Sequence, residues 1–145
     1  MNIKQVDPIQ SAPEIFEIVK TAFTRDFDKC PAHVGEVIDY IKDSDAYMAD
    51  DNNDPVGYFI LKNEPENVVE LKSIAIKDTY QGRGLGKLLM QNILEITKGK
   101  KVYLVTHPKN TTGIFMYLKH GFEIIGWIDN YLGDGQPRLK LEKQN

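Results

Sequence analysis

The sequence is poor in cysteine and contains no long apolar run. Its 145 residues include one cysteine, Cys30, which excludes an internal disulfide and fits a reducing compartment. No segment approaches the roughly 20 consecutive apolar residues that a membrane-spanning helix needs. The opening residues, MNIKQVDPIQ, also lack the apolar segment of a secretory signal. We therefore expect a cytoplasmic protein with no membrane partner.

An excess of positive charge is absent as well. Lysine and arginine number 18 against 21 aspartate and glutamate residues, and the net charge of −3 gives no basic surface of the kind that binds nucleic acid. None of the three histidines, His33, His107 and His120, has a partner at the spacing of a metal site or a catalytic pair. We therefore expect no nucleic acid and no metal, and we interpret each histidine as a surface or loop residue.

Repeats, low-complexity tracts and linkers are likewise missing. Apolar residues make up 41% of the chain and charged residues 27%, which is ordinary for a globular protein. A chain of this length is long enough to bury a hydrophobic core of its own. The sequence therefore predicts one domain that spans residues 1–145.

The first part of the chain alternates between β-rich and helical patterns. The predicted elements are strands at residues 1–6, 46–49 and 56–61, and helices that start at Ser11 and span residues 32–42. Ser11 is the expected N-cap of the first helix, with Glu14 three residues on as its capping-box partner. Residues 50–55, DDNNDP, predict a polar turn between two strands.

The alternation continues in the second part of the chain. The predicted elements are strands at residues 68–76, 102–105, 122–128 and 138–142, a helix at residues 85–96, and a helix that Asn110 opens and Gly121 closes. A strand–helix–strand crossover gives parallel neighbours, whereas tight hairpins give antiparallel ones. We predict an α/β fold with a mixed, mostly antiparallel central sheet.

A glycine-rich turn at residues 81–86, QGRGLG, joins the predicted central strand to its helix. Backbone N–H groups without partners inside the helix point outward at such a start, and the helix dipole favours an anion there. Side chains at Gly82, Gly84 or Gly86 would crowd a phosphate that approaches the backbone. The turn therefore predicts a phosphate site, although a plain strand-to-helix turn would use the same residues.

The spacing of the turn excludes two common phosphate-binding loops. A P-loop needs glycine in place of Gln81 and a hydroxyl residue in place of Leu88. A dinucleotide fingerprint needs glycine in place of Lys87 or Leu89. The pattern that fits is Q-x-x-G-x-G, with Arg83 and Lys87 as positive charges.

A second pattern lies at residues 110–122, NTTGIFMYLKHGF. Together with Q-x-x-G-x-G it resembles the GNAT superfamily of N-acetyltransferases, in which this region often reads N-x-x-A-x-x-x-Y-x-x-x-G-F. The matching positions are Asn110, Tyr117, Gly121 and Phe122. Gly113 replaces the usual alanine, which should loosen the helix slightly. The resemblance covers roughly residues 55–128 and implies the three-layer GNAT fold, with a βαβ crossover that binds the cofactor.

The resemblance implies acetyl-CoA as the co-substrate and indicates its binding residues. The pyrophosphate is expected on the loop formed by Gln81, Gly82, Arg83, Gly84, Leu85, Gly86 and Lys87. The pantetheine arm is expected along the backbone of Ile74, Ala75 and Ile76, which requires neighbouring strands to separate. Asn110 is expected near the pantetheine, and an N-cap of the last helix is an equally good interpretation of this residue.

Two residues are candidates for the chemistry of acyl transfer. Tyr117 matches the family's general acid, because a phenol with a pKa near 10 is protonated at neutral pH and can protonate the departing thiolate. Alternatively, Tyr117 is a core aromatic of an amphipathic helix. Glu70 lies where several family members place the base that deprotonates the amine. Alternatively, Glu70 forms a surface ion pair with Lys72.

The expected reaction is acetyl transfer to a primary amine of a small molecule, a peptide or a protein, by direct attack through a tetrahedral intermediate. The resemblance places the acceptor near residues 24–33 and 129–137, whose acidic residues suit a cationic amine: Asp26, Asp28, Asp129 and Asp134. Trp127 and Tyr131 are candidate aromatic walls, and Trp127 fits core or homodimer packing equally well. Two alternatives stay open, namely a catalytically idle acyl-CoA-binding or sensor domain and an interaction module that uses only the fold.

Overall fold

The computed structural model describes all 145 residues, Met1–Asn145. The strands are β1 (Asn2–Val6), β2 (Asp45–Asp51), β3 (Asp54–Glu64), β4 (Val68–Ile76), β5 (Lys101–Thr106), β6 (Glu123–Ile128) and β7 (Arg138–Gln144). The helices are α1 (Ala12–Ala22), α2 (Val34–Ile41), α3 (Leu85–Ile96) and α4 (Thr111–Lys119), and a 3₁₀ turn spans Asp78–Tyr80. No helix is both long and apolar enough to cross a membrane.

The seven strands form one sheet in the order β1-β2-β3-β4-β5-β7-β6. Strands β4 and β5 run parallel, as the crossover through α3 predicts. The pairs β1–β2, β2–β3, β5–β7 and β6–β7 are antiparallel. The prediction of an α/β fold with a mixed, mostly antiparallel sheet is therefore confirmed.

The chain divides into two compact units. The first unit comprises residues 1–62 and 71–89, and the second comprises residues 63–70 and 90–145. Strand β4 and helix α3 each contribute residues to both units, so the boundary between the units cuts through secondary-structure elements. The prediction that residues 1–145 form a single domain stays a prediction.

The core of the first unit lies between its two helices and the sheet. Helices α1 and α2 place their apolar faces against strand residues, as their helical periodicity predicts. The buried members of this cluster are Ala12, Ile15, Ile18, Val19, Val37, Ile41, Ala46, Met48, Tyr58, Ile60 and Ala75. Helix α2 begins at Val34, two residues after its predicted start, and His33 occupies its N-cap position.

The predicted capping box at the start of α1 is wrong. The Ser11 side chain makes no capping hydrogen bond, and its backbone is helical (φ −88°, ψ −4°) rather than extended as in most N-caps. Upstream, Asp7 Oδ1 accepts hydrogen bonds from the N–H groups of Ile9 and Gln10, both at 2.9 Å. These bonds form a turn upstream of the helix, in which the Ser11 N–H also donates to the Asp7 carbonyl at 3.0 Å, so the chain already coils at Ser11 instead of entering the helix in an extended conformation.

The turn between β2 and β3 is shorter than the sequence predicts. Its tip consists of Asn52 and Asn53, with φ of 49° and 66°, while Asp50 and Asp51 pair with Pro55 and Asp54 as ends of the two strands. A two-residue hairpin with a type I′ turn needs positive φ at both positions, which asparagine tolerates better than most residues. Of the six residues predicted as a turn, only Asn52 and Asn53 lie outside the two strands.

The second unit is built on β5, β7 and α4. Its buried side chains include Val69, Val102, Leu104, Phe122 and Leu141. Strand β6 is one edge of the sheet, and its pairing with β7 shifts by one residue between Ile124 and Gly126. Trp127 on this strand is 58% exposed and donates its indole N–H to Asp129 Oδ1 at 2.9 Å. Core packing as an interpretation of Trp127 is therefore wrong.

Candidate active site

The glycine loop after β4 has a backbone conformation that residues with side chains adopt only with strain. Gly82 and Gly84 have φ of 77° and 83°, a region that favours glycine. A Cβ added at either position would meet no atom within 4 Å. Glycine is therefore required here by the backbone conformation and not by crowding. The space outside both glycines is open, and Arg83 and Lys87 of the same loop are exposed.

The start of α3 has no side chain at the position that would cap it. Gly84 precedes the first helical residue, and the Leu88 N–H donates to the Gly84 carbonyl at 3.2 Å. The N–H groups of Leu85, Gly86 and Lys87 come before that first helical bond and have no acceptor within the helix. Leu85 is only 4% exposed, so its side chain anchors the loop to the core while its amide stays at the helix start.

Gly57 on β3 lets helix α3 lie close to the sheet. A Cβ at Gly57 would lie 3.3 Å from the Ala75 carbonyl oxygen and 3.4 Å from side-chain carbons of both Leu85 and Leu89. The distance to the carbonyl oxygen is tighter than most Cβ contacts, so a side chain at residue 57 would require the neighbouring backbone to shift by a few tenths of an ångström. The sequence analysis missed this residue, although a glycine inside a strand pattern is a known sign of close approach.

The predicted pantetheine strand and the loop are tied by Gln81. The Gln81 side-chain amide donates to the Ile76 carbonyl oxygen at 3.0 Å. Ala75 is buried, while Ile74 and Ile76 are half-buried. The first unit thus brings together the expected pantetheine segment (residues 74–76) and the expected pyrophosphate loop (residues 81–87).

Strands β4 and β5 stop pairing well before they end. Their register contains three pairs, from Val68 with Lys101 to Glu70 with Tyr103. Strand β4 continues to Ile76 and β5 to Thr106 beyond the last pair. A backbone edge that lacks a neighbouring strand is available for β-type pairing with another chain or ligand.

Glu70 lies opposite a tyrosine that bonds a second carboxylate. It is directly opposite Tyr103 in the last pair of the β4–β5 ladder, so the two side chains share one face of the sheet. The Tyr103 hydroxyl donates to a carboxylate oxygen of Glu64. Burial raises the pKa of Tyr103 above its ordinary value, and the hydrogen bond to Glu64 and the charge of Glu70 add to the effect. Tyr103 is therefore protonated at neutral pH and donates to Glu64.

Lys72, the partner considered for Glu70, makes close contacts with Tyr40 of helix α2. Its Nζ donates to the Tyr40 carbonyl oxygen at 2.6 Å and lies 4.0 Å from the centre of the ring, while the Tyr40 hydroxyl donates to the Lys72 carbonyl at 3.0 Å. An ammonium over an aromatic face is attracted by the ring's electron density. An ion pair between Glu70 and Lys72 stays a prediction, and Tyr40 competes with Glu70 for the lysine ammonium.

Asn110 is the N-cap of helix α4, as one of its two interpretations predicts. Its Oδ1 accepts from the Gly113 N–H at 3.2 Å, and its Nδ2 donates to Thr106 Oγ1 at 2.9 Å. A Cβ at Gly113 would lie 2.4 Å from Asn110 Nδ2. The glycine that departs from the family pattern therefore makes room for the capping amide.

Tyr117 is buried, with 6% of its surface exposed. Its ring meets Phe122 edge-on, with the ring centres 5.9 Å apart and the planes at 61°, a geometry that aromatic pairs prefer. The Phe122 N–H also donates to the Tyr117 carbonyl at 3.0 Å. The burial suits both interpretations, a core aromatic and a general acid in a dry site, so the role of Tyr117 stays a prediction.

His107 is buried rather than at the surface, although it lies in a loop as predicted. Its Nδ1 accepts from the Lys109 N–H at 3.0 Å, which leaves Nε2 to donate to Gln136 Oε1 at 3.1 Å. This contact joins the segment before α4 to the loop between β6 and β7. No sequence spacing links His107 to Gln136, so only the fold reveals the pair.

The acidic character expected of the acceptor segments is partly neutralised. Asp28 accepts two side-chain bonds from Arg25, both at 2.9 Å. In the other segment, Asp134 is paired at 3.0 Å with Arg138, which is itself buried. These ion pairs weaken the argument that both segments attract a cationic amine.

Comparisons with known proteins agree on one family. The model of the acetyltransferase (GNAT) family matches residues 12–122. N-alpha-acetyltransferase RimI of Mycobacterium tuberculosis is 32% identical over 71 residues, which are 49% of this chain and 45% of that protein. Peptidyl-lysine N-acetyltransferase YjaB of Salmonella typhimurium is 27% identical over 107 residues, which are 72% of this chain and 69% of that protein. The match to RimI thus spans about half of either protein.

A solved structure has the same fold over its whole length. It is a GNAT family acetyltransferase from Elizabethkingia anophelis with acetyl-CoA bound, and it matches with a TM-score of 0.79 and 19% identity over 99% of this chain and 97% of that chain. At that identity the likeness concerns the fold alone. The family match itself covers most of the sequence, including the glycine loop and the segment from Asn110 to Phe122. On this evidence, the chain belongs to the GNAT family of acetyltransferases.

Proposed function

We propose that this protein is an N-acetyltransferase that transfers an acetyl group from acetyl-CoA to a primary amine. The observation that carries the proposal is the glycine loop, with two left-handed glycines, open space on its outer side and an uncapped helix start. Amides at a helix start together with the helix dipole form an anion site. Arg83 and Lys87 add positive charge at the same place, which suits a diphosphate.

The residues present fit an acyl-CoA co-substrate. The amides of residues 82–87 would hold the pyrophosphate, and the edge of β4 at Ile74–Ile76, beyond its last pair with β5, would hold the pantetheine arm. The Ile76 carbonyl already accepts from Gln81, so pairing there relies on the remaining backbone groups. Asn110 stays a predicted contact of the pantetheine, because its amide already has two partners within the protein.

Acetyl-CoA would supply a thioester carbon that the amine nitrogen attacks directly, through a tetrahedral intermediate, with cleavage of the carbon–sulfur bond. In this proposal a backbone N–H of β4 stabilises the developing oxyanion. Glu70 takes a proton from the substrate ammonium, directly or through water, and the neutral amine then attacks. Tyr117 gives its phenolic proton to the departing thiolate, and its burial keeps that donor away from bulk water.

The names of two relatives support an amine acceptor. One is an N-alpha-acetyltransferase and the other a peptidyl-lysine N-acetyltransferase, which differ in the position of the amine on a polypeptide. The proposal therefore includes amines of peptides and proteins as well as small molecules. The alternative of a catalytically idle acyl-CoA-binding domain retains the loop but needs no general acid, so it requires Tyr117 to be a core aromatic only.

Two measurements test the proposal in sequence. Calorimetry with acetyl-CoA and with CoA should detect binding at a single site. Release of CoASH should then be measured with a panel of polyamines, amino acids, peptides with free N-termini and lysine peptides with blocked N-termini. Absence of acetyl-CoA binding would overturn the proposal. Tight binding with no turnover of any amine in the panel would favour the idle domain instead.

A further inference from the structure

Tyr80 links the glycine loop to the end of strand β2. Its hydroxyl donates to Asp51 Oδ2 at 2.7 Å across 29 residues of sequence. The hydrogen bond to Asp51 raises the pKa of Tyr80 above its ordinary value, so the phenol stays protonated and keeps donating at neutral pH. One end of the Tyr80 side chain is therefore fixed by a charged partner.

The backbone of Tyr80 is fixed as well. Its N–H donates to the Lys77 carbonyl at 2.8 Å, and the Lys77 N–H donates to the Val56 carbonyl at 2.8 Å. The Asp78 N–H donates to Thr21 Oγ1 at 3.1 Å. The 3₁₀ turn at Asp78–Tyr80 is thus attached to β3, to α1 and to β2, all within the first unit.

Arg83, between the two left-handed glycines, lies on the ring of Tyr80. Its guanidinium carbon is 4.9 Å from the ring centre, a cation–π distance. The carboxylate of Asp51 at the phenol oxygen makes the ring more electron-rich and so strengthens this attraction. A long arginine side chain on an exposed loop would otherwise sample many rotamers and lose that freedom when it binds an anion.

We propose that Tyr80, held by Asp51, is a positioning residue that keeps the Arg83 guanidinium at the glycine loop, ready for the pyrophosphate of acyl-CoA. This inference rests on the proposed function, because it assigns a partner to the same phosphate site. It follows from the contacts of Tyr80, which no sequence pattern around the loop indicates. Arg83 therefore loses its side-chain conformational entropy on folding rather than on binding the ligand.

Calorimetric affinity for acetyl-CoA tests this proposal. Tyr80→Leu removes the ring and should weaken binding about two- to fivefold, the range expected for a cation–π contact at an exposed site. Tyr80→Met is a second variant without a ring, in case the leucine variant folds poorly. Tyr80→Phe keeps the ring and should stay within about twofold of the parent. Phe115→Leu, which removes an exposed ring 5.8 Å from Lys119, is the matched control and should leave affinity unchanged.

A double-mutant cycle separates positioning from general destabilisation. Arg83→Gln should weaken binding at least as much as Tyr80→Leu, and adding Tyr80→Leu to Arg83→Gln should cause no further loss. Losses that simply multiply, or an unchanged affinity in both ringless variants, would overturn the proposal. If the parent binds no acetyl-CoA, the proposed function fails first and separately.

A second ligand checks which phosphate Arg83 meets. Acetyl-dephospho-CoA keeps the pyrophosphate and lacks the 3′-phosphate of the ribose. Because Arg83 lies within the loop, Tyr80→Leu should lower the affinity for both ligands by the same factor. A loss confined to acetyl-CoA would assign Arg83 to the 3′-phosphate and overturn the assignment to the pyrophosphate.

Discussion

Two strand-to-helix turns of this protein treat the start of a helix in opposite ways. The turn from β4 to α3 ends in Gly84, which has no side chain for a cap, and most of its residues are exposed. The turn from β5 to α4 ends in Asn110, which caps the helix, and it contains the buried His107. Every helix begins with N–H groups that lack intrahelical partners. The first turn leaves them to a ligand or solvent, and the second provides a partner from the protein itself.

This difference between the two turns predicts that mutations in one affect ligand affinity and mutations in the other affect the free energy of unfolding. Changes at the exposed residues 81–84 of the first turn should alter the binding of an anionic ligand and have little effect on folding, because these positions lie at the surface and two of them are glycines without side-chain contacts. Changes at the cap of the second turn should alter the free energy of unfolding. Beyond the cap, Tyr117 is the candidate for a catalytic role of α4. The predictions below test this division, and one of them tests the proposed base on β4.

The largest effect is expected at Tyr117. Tyr117→Phe keeps the ring and its contact with Phe122 but removes the phenolic proton. Turnover at saturating substrates should fall about 10²–10⁴-fold, the usual contribution of general acid–base catalysis. The measurement is CoASH release with an amine identified in the panel.

Two controls accompany that variant. The dissociation constant for acetyl-CoA and the melting temperature should match those of the parent, since packing is preserved. Unchanged turnover, in conditions where the chemical step limits the rate, would leave Tyr117 as a core aromatic and would leave α4 without a catalytic role.

A second large effect is expected at Glu70. Glu70→Gln removes a carboxylate that lies opposite Tyr103, and turnover should fall about 10²-fold or more if this group deprotonates the amine. Glu64→Gln is the matched comparison, because Glu64 accepts from the same tyrosine. A larger loss in the Glu64 variant than in the Glu70 variant would transfer the role of base to Glu64.

The overall fold and the loop were predictable because their signals are local. Apolar periodicity located the helices, and glycine spacing located the loop in which Gly82 and Gly84 have positive φ, while its binding of phosphate stays a prediction. The contacts that hold the site depend on residues far apart in sequence, such as Gly57 against Leu85, Tyr80 with Asp51, and His107 with Gln136. No periodicity connects such pairs, so they emerge only when the chain is folded.

A tenfold or greater loss of affinity for acetyl-CoA is expected for Gly84→Glu. The carboxylate would lie in the open space where the phosphates are expected, and like charges at close range cost enough for about a tenfold change or more. Calorimetry measures the loss. Gly99→Glu is a matched control, because Gly99 has a similar φ of 81° and equally open space but lies outside the loop. Equal affinities of the two variants would contradict the assignment of the loop to phosphate.

The smallest effects concern the second turn and are changes in the free energy of unfolding. Asn110→Ala removes the cap of α4 and should lower that free energy by about 1 kcal/mol. Urea denaturation measures the change. Affinity for acetyl-CoA in the same variant distinguishes the two interpretations of Asn110: an unchanged dissociation constant leaves it a cap, and a tenfold rise makes it a pantetheine contact as well.

Gly113→Ala tests whether the glycine exists to admit that cap. In the parent, the new Cβ would clash with Asn110 Nδ2 at 2.4 Å and displace the amide, so the lost cap should offset the gain of about 0.5–1 kcal/mol from replacing a helical glycine. In the Asn110→Ala background the clash is absent, and the same substitution should stabilise the protein by that full amount. Urea unfolding of all four proteins gives the coupling free energy. Equal stabilisation in both backgrounds would mean that the Asn110 amide does not occupy the space of the missing methyl group.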